Sequence, residues 1–365
     1  MPASDPTARR KIPLILMANT PTTPVYDYLC IDQYLTDFMD VQLLKSAFEN
    51  GLIDLLQSRP HNLAELQSAL HTDSVGLRFM LDLLGHNGVI LNNGETVCLT
   101  QEFEHALQYR SLMEVKIEFA NFLAPDVMQS MSAFIRDERE FMANSRLFEL
   151  FDYQRALEST PENYQFTQRW VSLTTALTQH EAQVCLDHHD FSSYQQLMDI
   201  GGNSGEFVSQ ICRANPNLQA TVIDLPVVCE VGNNHLKGRS EASRIQFQPA
   251  NALEDKLPTN QDIVTFKSIL HDWPEPGSQR FLSQAHSSLK PGGKVLIFER
   301  APINLATAYK HGNLAFGNLP TFLFFRSYRP ASIYVNQLQD LGFTDINIEL
   351  IPLETDFYLI TASKG

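Results

Sequence analysis

The sequence predicts an α/β chain in two parts: a mainly helical N-terminal part that contains a winged helix, and a C-terminal part built on a Rossmann-like sheet. Its 365 residues exceed what one hydrophobic core usually supports, and 44% of them are hydrophobic. Apolar residues recur at helical spacing in the first half, whereas short apolar strands alternate with helices after residue 191. We therefore expect a mobile tail or arm over residues 1–22, a winged helix over 23–110, a helical connector over 111–190 and a sheet domain over 191–365.

The winged-helix prediction depends on three consecutive patterns. Apolar residues from position 34 to about 58 follow helical spacing, and residues 62–70 and 74–84 are typical of short helices with one apolar face. Residues 88–99 then form two apolar runs around Asn93 and Gly94, a dipeptide that favours a hairpin turn. Two short helices followed by a hairpin indicate a winged helix.

The charge of this segment argues against a nucleic-acid partner, although winged helices often bind DNA. Residues 61–110 carry two basic side chains against six acidic ones, and the whole chain has a formal net charge of −15. Because an acidic surface does not neutralise phosphates, neither nucleic acid nor a membrane is an expected partner. The five cysteines lack paired short spacings, and no long apolar run or secretory signal pattern is present, which favours a cytoplasmic protein.

In the sheet domain, apolar runs predict parallel strands joined by crossover helices at residues 196–200, 220–224, 245–248, 262–266 and 294–299. Two more runs, at 345–351 and 356–361, have no helix between them and predict a closing antiparallel hairpin. Ligands of such sheets bind outside the carboxyl ends of the strands. The residues that follow each strand are therefore the candidates for a site.

The turn after the first of these strands is the clearest candidate. Gly201 and Gly202 stand where the strand passes into a helix, so the backbone there can approach a ligand closely. Asp224 ends the next strand, where a carboxylate can accept hydrogen bonds from ribose hydroxyls. These features predict a nucleotide-type cofactor. A nicotinamide or flavin dinucleotide is an alternative, because the glycine spacing also approximates the dinucleotide pattern.

Two further motifs point to a family. Residues 267–273 (KSILHDW) end one apolar strand, and residues 289–299 (LKPGGKVLIFE) supply a turn and the next strand. Together with the glycine turn, they resemble the S-adenosylmethionine-dependent small-molecule O-methyltransferases of the caffeate, hydroxyindole and acetylserotonin type. The resemblance extends over nearly all of the chain after residue 30. It implies a class I methyltransferase sheet, S-adenosyl-L-methionine as the cofactor and a homodimer formed through the winged helix. We also expect the helical connector, residues 111–190, to roof the active site.

The resemblance also implies where the cofactor binds. Gly201 and Gly202 would pass under its methionine part, and Asp224 and Leu225 would hold the ribose and the adenine. Lys267 corresponds to a lysine on the cofactor side in the family.

The chain departs from the family beside the adenine. The family often has Gly–Asp–Met after its third strand, whereas this chain has Asn251 and Ala252 within Ala–Asn–Ala. The resemblance therefore implies that Asn251 bonds the adenine amine as a neutral substitute for the aspartate.

His271 is the candidate catalytic base. Methyl transfer from a sulfonium has a good leaving group, so the enzyme must chiefly align the acceptor, exclude water and remove one proton. A neutral imidazole can accept the proton of a phenol. His271 matches the family's base in His–Asp–Trp, and Glu299 matches an acid that orients this base. We expect His271, Asp272 and Glu299 to form the catalytic set, with His271 as the general base.

The substrate side departs further from the family. Tyr328 stands where the family commonly has a second acidic residue, in a Gly–Lys–Glu–Arg–Thr stretch. The expected substrate-binding residues are Trp273, Phe322, Arg326 and Tyr328, in an aromatic pocket. Arg326 and Arg329 suit an acceptor that carries negative charge, but they could equally cap the following helix or pair across domains.

The predicted function is methyl transfer to a hydroxyl of a small, aromatic or polyketide-like specialised metabolite. Carbon methylation of an enol or keto acid is an alternative. A metal-assisted version would use His271, Asp272 and His311, although no motif requires a metal. A methyltransferase fold also supports reactions that transfer no methyl group. A transcription factor with an inactive domain is the least favoured alternative, because the winged helix is acidic and His–Asp–Trp is intact.

Overall fold

Two helices, α1 (Asp32–Glu49) and α2 (Leu52–Ser58), come first in the computed structural model, which describes residues 32–302, 328–353 and 355–365. The predicted tail over residues 1–22 lies outside these residues. The sequence predicts one helical stretch to about residue 58, but the structure divides it at Gly51. This residue has a φ of 82°, a left-handed conformation that glycine adopts at little cost because it lacks a Cβ.

The winged-helix elements follow in the predicted order. They are α3 (Leu63–Leu70), α4 (Ser74–His86), β1 (Ile90–Asn92) and β2 (Val97–Leu99). A capping box starts α3, because Asn62 accepts from the backbone N–H of Glu65 and Glu65 accepts from that of Asn62. Strands β1 and β2 pair antiparallel, and His61 forms a bridge to Val97 beside them. The apolar faces of these elements form one core around Leu66 and Leu81.

A helical region connects the wing to the sheet. Its helices are α5 (Gln101–Ala106), α6 (Arg110–Arg136), α7 (Glu138–Ala143), α8 (Arg146–Leu150) and α9 (Pro161–His188), with short 3₁₀ turns at Leu107–Tyr109 and Tyr153–Leu157. The structure divides into two compact units between Glu118 and Phe119, inside α6. Within the described ranges, no helix combines the length and the apolar character that crossing a membrane requires.

Within the part of the chain that the structure describes, the sheet has seven strands in the order β5-β4-β3-β6-β7-β9-β8. They are β3 (Gln196–Ile200), β4 (Gln219–Asp224), β5 (Ile245–Pro249), β6 (Gln261–Lys267), β7 (Leu289–Arg300), β8 (Phe343–Ile351) and β9 (Phe357–Lys364). The helices that join or follow them are α10 (Glu206–Ala214), α11 (Pro226–Leu236), α12 (Glu275–Ser288) and α13 (Ala331–Asp340). Strands β3 to β7 pair in parallel, and β8 and β9 form an antiparallel hairpin, as the sequence predicts. Strand β9 also pairs antiparallel with β7.

The strand order reverses between β3 and β6, because β4 and β5 lie on one side of β3 whereas β6 and β7 lie on the other. Such a switch point opens a crevice at the carboxyl ends of the strands, where open α/β sheets bind their ligands. The glycine turn follows β3, and the histidine turn at Leu270–Asp272 follows β6. Both predicted motifs therefore lie at the crevice.

Candidate active site

The turn between β3 and α10 has no room for side chains at its two glycines. Gly201 has a φ of 71°, and a Cβ built on it would lie 2.7 Å from Cγ1 of Ile269. A Cβ on Gly202 would lie 2.7 Å from both Oδ2 of Asp199 and Cγ1 of Val222. Real Cβ atoms do not approach heavy atoms so closely, so this backbone path requires glycine.

Two carboxylates adjoin this turn. Asp224, at the end of β4, accepts the backbone N–H groups of Asn203 and Leu225, each at 2.8 Å. Burial raises the pKa of Asp224 to about 6, and the two backbone hydrogen bonds oppose that rise. Asp199, which the sequence analysis missed, accepts from the Thr265 hydroxyl through Oδ1 at 2.6 Å, and burial raises its pKa to about 7. Among the described residues, nothing donates a hydrogen bond to its buried Oδ2.

Asn251 and Ala252 follow β5. Oδ1 of Asn251 accepts from the backbone N–H of Leu253 at 3.1 Å. The backbone N–H of Asn251 donates to Oδ2 of Asp255 at 2.7 Å. The Asn251 side chain thus shapes its own loop, although Oδ1 keeps a second lone pair that a ligand can use. Ala252 is buried and packs into the sheet core.

His271 lies in the 3₁₀ turn after β6, with both ring nitrogens next to carboxylates. Nδ1 is 2.5 Å from Oε2 of Glu299, and Nε2 is 3.2 Å from Oδ1 of Asp272. Burial alone would lower the pKa of His271, but the charges of Glu299 and Asp272 outweigh it and raise this pKa above its ordinary value. Since a carboxylate accepts hydrogen bonds, the Glu299 contact places a proton on Nδ1 and makes Nε2 the basic nitrogen of the neutral ring.

Glu299 also fixes the backbone of the histidine turn. It is fully buried at the end of β7, and its Oε1 accepts the N–H groups of Ile269 at 2.7 Å and Leu270 at 2.6 Å. One carboxylate therefore holds both the imidazole and the backbone that leads to it. The sequence predicted the contact with His271 but not the two backbone bonds.

Two residues just before α13 also contact the histidine turn. Arg329 donates to the backbone carbonyl of Leu270 at 2.8 Å and also to that of Trp273. The ring of Tyr328 meets the imidazole of His271 edge to face, with the centroids 5.1 Å apart. Burial raises the pKa of Tyr328 to about 12, so this phenol stays neutral. Arg329 thus supports the histidine turn through its backbone.

An aromatic group from the helical connector covers Asp272. The Tyr153 hydroxyl donates to Oδ2 of Asp272 at 3.0 Å. The Tyr153 ring lies between Trp170, in an edge contact at 5.6 Å, and Trp273, in a stacked contact at 6.4 Å. The sequence indicated that the connector roofs the site, but no pattern in it identified Tyr153.

Lys267, expected on the cofactor side, takes part in an ion cluster with the connector. Its ammonium group pairs with Glu181 and donates to the Thr178 hydroxyl at 2.8 Å, and Glu181 also pairs with Arg300. Burial lowers the pKa of Lys267, and Glu181 opposes that shift. Polar residues at positions 174, 178 and 181 share one face of α9, a pattern that could have indicated this buried cluster.

Three predicted positions, Phe322, Arg326 and His311, lie outside the described residues. In the parts of the chain that the structure describes, no three His, Cys, Asp or Glu side chains are grouped as ligands for a metal ion.

Comparison with family models identifies two matching regions. Residues 129–314, just over half of the chain, match the O-methyltransferase domain, and residues 32–102 match the O-methyltransferase dimerisation domain. The second match coincides with the winged-helix elements.

Individual relatives agree with these matches. The chain is 26% identical to acetylserotonin O-methyltransferase of Gallus gallus over 286 residues, which cover 74% of this chain and 79% of that protein. It is 31% identical to 3-hydroxy-5-methyl-1-naphthoate 3-O-methyltransferase of Streptomyces sahachiroi over 157 residues, which cover 43% of this chain and 45% of that one. Among solved structures, human N-acetylserotonin methyltransferase in complex with SAM superposes with a TM-score of 0.70 at 19% identity, over 95% of this chain and 100% of that one.

Proposed function

The chain belongs to the O-methyltransferase family, and from that premise we propose that it methylates a hydroxyl group of a small aromatic metabolite with His271 as the general base. The family, the α/β fold, the S-adenosylmethionine cofactor and the O-methyltransferase activity predicted from the sequence are confirmed. The observation that carries the proposal is the His271–Glu299 contact at the carboxyl end of the sheet.

The glycine turn and its carboxylates fit the cofactor. When bound, S-adenosylmethionine supplies a methyl group from its sulfonium sulfur, and the rest of the cofactor is left as a neutral thioether. Gly201 and Gly202 would lie under the methionine part, and Asp224 with Leu225 would hold the ribose and adenine. Support comes from the backbone path at Gly201 and Gly202, which leaves no room for a Cβ, and from the unpartnered buried Oδ2 of Asp199.

The remaining cofactor contacts follow the same assignment. Asn251 and Ala252 would lie beside the adenine, with Oδ1 of Asn251 accepting from its amine. Lys267 would support the cofactor side through its ion pair with Glu181, which ties α9 to the end of β6.

His271 would remove the acceptor's proton through Nε2. Glu299 holds the proton on Nδ1 and stabilises the imidazolium that forms, while Arg329 and Tyr328 keep the ring and its turn in place. Because the pKa of His271 is raised, the base is protonated at low pH and becomes active as the pH rises through this pKa.

The acceptor would be aromatic. Trp273, Tyr153 and Tyr328 place three rings around His271 and Asp272, and flat rings pack well against such walls. The guanidinium of Arg329 already donates to two backbone carbonyls, so it is less suited to bind an anionic acceptor. Phe322 and Arg326 complete the proposed substrate residues.

We further propose a cytoplasmic homodimer that associates through the dimerisation domain, residues 32–102, and takes a small-molecule substrate. The net charge of −15 supports the expectation that nucleic acid and membranes are not partners.

Replacement of His271 by alanine tests the proposal. Turnover of a phenol that the wild-type enzyme methylates should fall by roughly 10²–10⁴, the usual contribution of a positioned proton acceptor, with unchanged S-adenosylhomocysteine affinity by calorimetry. His188→Ala is the matched control, because this exposed imidazole pairs with Glu349, and it should keep full turnover. Wild-type turnover by His271→Ala would rule out the general-base role.

A further inference from the structure

Asp272 has a specific contact for each carboxylate oxygen. Oδ1 is 3.2 Å from Nε2 of His271, and Oδ2 accepts from the Tyr153 hydroxyl at 3.0 Å. The two contacts use different oxygens of one planar carboxylate, so the Tyr153 bond to Oδ2 restricts the direction in which Oδ1 points.

Tyr153 itself is held by packing on two sides. Its ring makes an edge contact with the buried Trp170 and a stacked contact with Trp273, whose planes differ by 21°. Aromatic contacts of this kind limit rotation of the ring. The hydroxyl is therefore presented to Asp272 by a side chain that has little freedom to move away.

We propose that Tyr153 is a positioning residue for methyl transfer, which acts by holding Asp272 against Nε2, the proton-accepting nitrogen of His271. The inference rests on the proposed function, in which Nε2 of His271 is the base. Tyr153 is separated from Asp272 by 119 positions and belongs to the helical connector, so the connector would set the properties of the base as well as cover the site.

The charges around His271 indicate how its pKa should change when the Tyr153 hydroxyl is removed. The Asp272 charge helps to raise the pKa of His271, and the Tyr153 hydroxyl stabilises that charge by its hydrogen bond. Loss of the hydroxyl leaves Asp272 less stable as an anion and free to turn from Nε2. The imidazolium then loses support, and the pKa of His271 should fall. The other charged or titratable groups among the described residues that act on this pair remain in place: Glu299, Arg300, Glu181, Tyr328 and Tyr334.

The test is a histidine NMR titration of the full-length enzyme saturated with S-adenosylhomocysteine, with His271 assigned by a His271→Gln variant. Tyr153→Phe keeps the ring and removes only the hydroxyl, and it should lower the pKa of His271 by roughly half a unit. Asp272→Asn should lower it by about one unit. In the pH dependence of kcat/KM, the acid limb should move by the same amounts.

A double-mutant cycle separates positioning from packing. If Tyr153 acts through Asp272, adding Tyr153→Phe to Asp272→Asn should cause no further shift. Tyr194→Phe is the control, because it removes a tyrosine hydroxyl that contacts His189 instead, and it should leave the titration of His271 unchanged. An unchanged or raised pKa in folded Tyr153→Phe, or additive shifts in the cycle, would overturn the proposal. The NMR titrations do not depend on turnover, so they fail separately from the His271→Ala test.

Discussion

The glycine turn after β3 and the histidine turn after β6 lie on adjacent parallel strands, yet they are built in different ways. The glycine turn depends on two positions without a side chain, where the backbone passes close to Ile269, Asp199 and Val222. The histidine turn depends on side chains from distant segments. Glu299 holds it from 28 positions away, Arg329 from 59 and Tyr153 from 119.

The two turns should therefore fail for different reasons. A turn whose path needs positions without a side chain should fail when one of its own glycines changes. A turn held from several segments should be sensitive to the loss of any distant holder. The following substitutions test this contrast, beginning with the largest expected effect.

Loss of Glu299 should cause the greatest damage. Glu299→Ala leaves the imidazole and the N–H groups of Ile269 and Leu270 without an acceptor in a buried setting. We expect the free energy of unfolding to fall by roughly 3–5 kcal/mol and turnover by roughly 10²–10⁴. Denaturant unfolding and steady-state kinetics measure the two effects.

Glu299→Gln sharpens the same prediction. It keeps the shape and an acceptor oxygen but removes the charge that stabilises the imidazolium, so its losses should be intermediate. Glu349→Ala is the matched surface control, because Glu349 pairs with His188 in solvent, and it should change stability by no more than about 0.5 kcal/mol. Equal effects of Glu299→Ala and Glu349→Ala would contradict the account of the histidine turn.

A smaller effect is expected from Gly202→Ala. The added Cβ would lie 2.7 Å from Asp199 and Val222, so the turn must shift away from its path. Such overpacking costs about 1–3 kcal/mol, which corresponds to roughly 5- to 150-fold weaker S-adenosylhomocysteine binding by calorimetry.

Gly85→Ala is the control for the added methyl group. A Cβ there would meet nothing closer than 4.0 Å, within helix α4, so cofactor affinity should stay unchanged. Wild-type affinity in Gly202→Ala would show that the glycine turn is not the cofactor cradle.

The sequence was sufficient to predict the sheet, because apolar residues recur at the spacing typical of a strand or a helix in each of its elements. It was less informative about breaks such as Gly51, where one helical period continues across two helices. His271 and Glu299 were found because each matches a residue of the family near the carboxyl end of a strand, and parallel strands end at one edge. Tyr153 and Arg329 could not be assigned their contacts, since nothing near them in sequence specifies a partner in the histidine turn.

Lys267 illustrates the same limit. The family resemblance set it on the cofactor side, but the resemblance contained no information about Glu181 on α9. In the folded chain these two side chains share a buried cluster with Arg300, because burying one charge favours the burial of its partner. Partners that meet only through tertiary packing are visible in the structure and not in a local pattern.

The most direct test of the central claim uses S-adenosylmethionine labelled with carbon-13 in its methyl group. The enzyme is incubated with a panel of phenols, enols and keto acids, and NMR of the product identifies the atom that carries the label. The account predicts the label on the oxygen of an aromatic hydroxyl, with one S-adenosylhomocysteine formed for each product. A label on carbon or nitrogen, or conversion of the acceptor without any label, would contradict it.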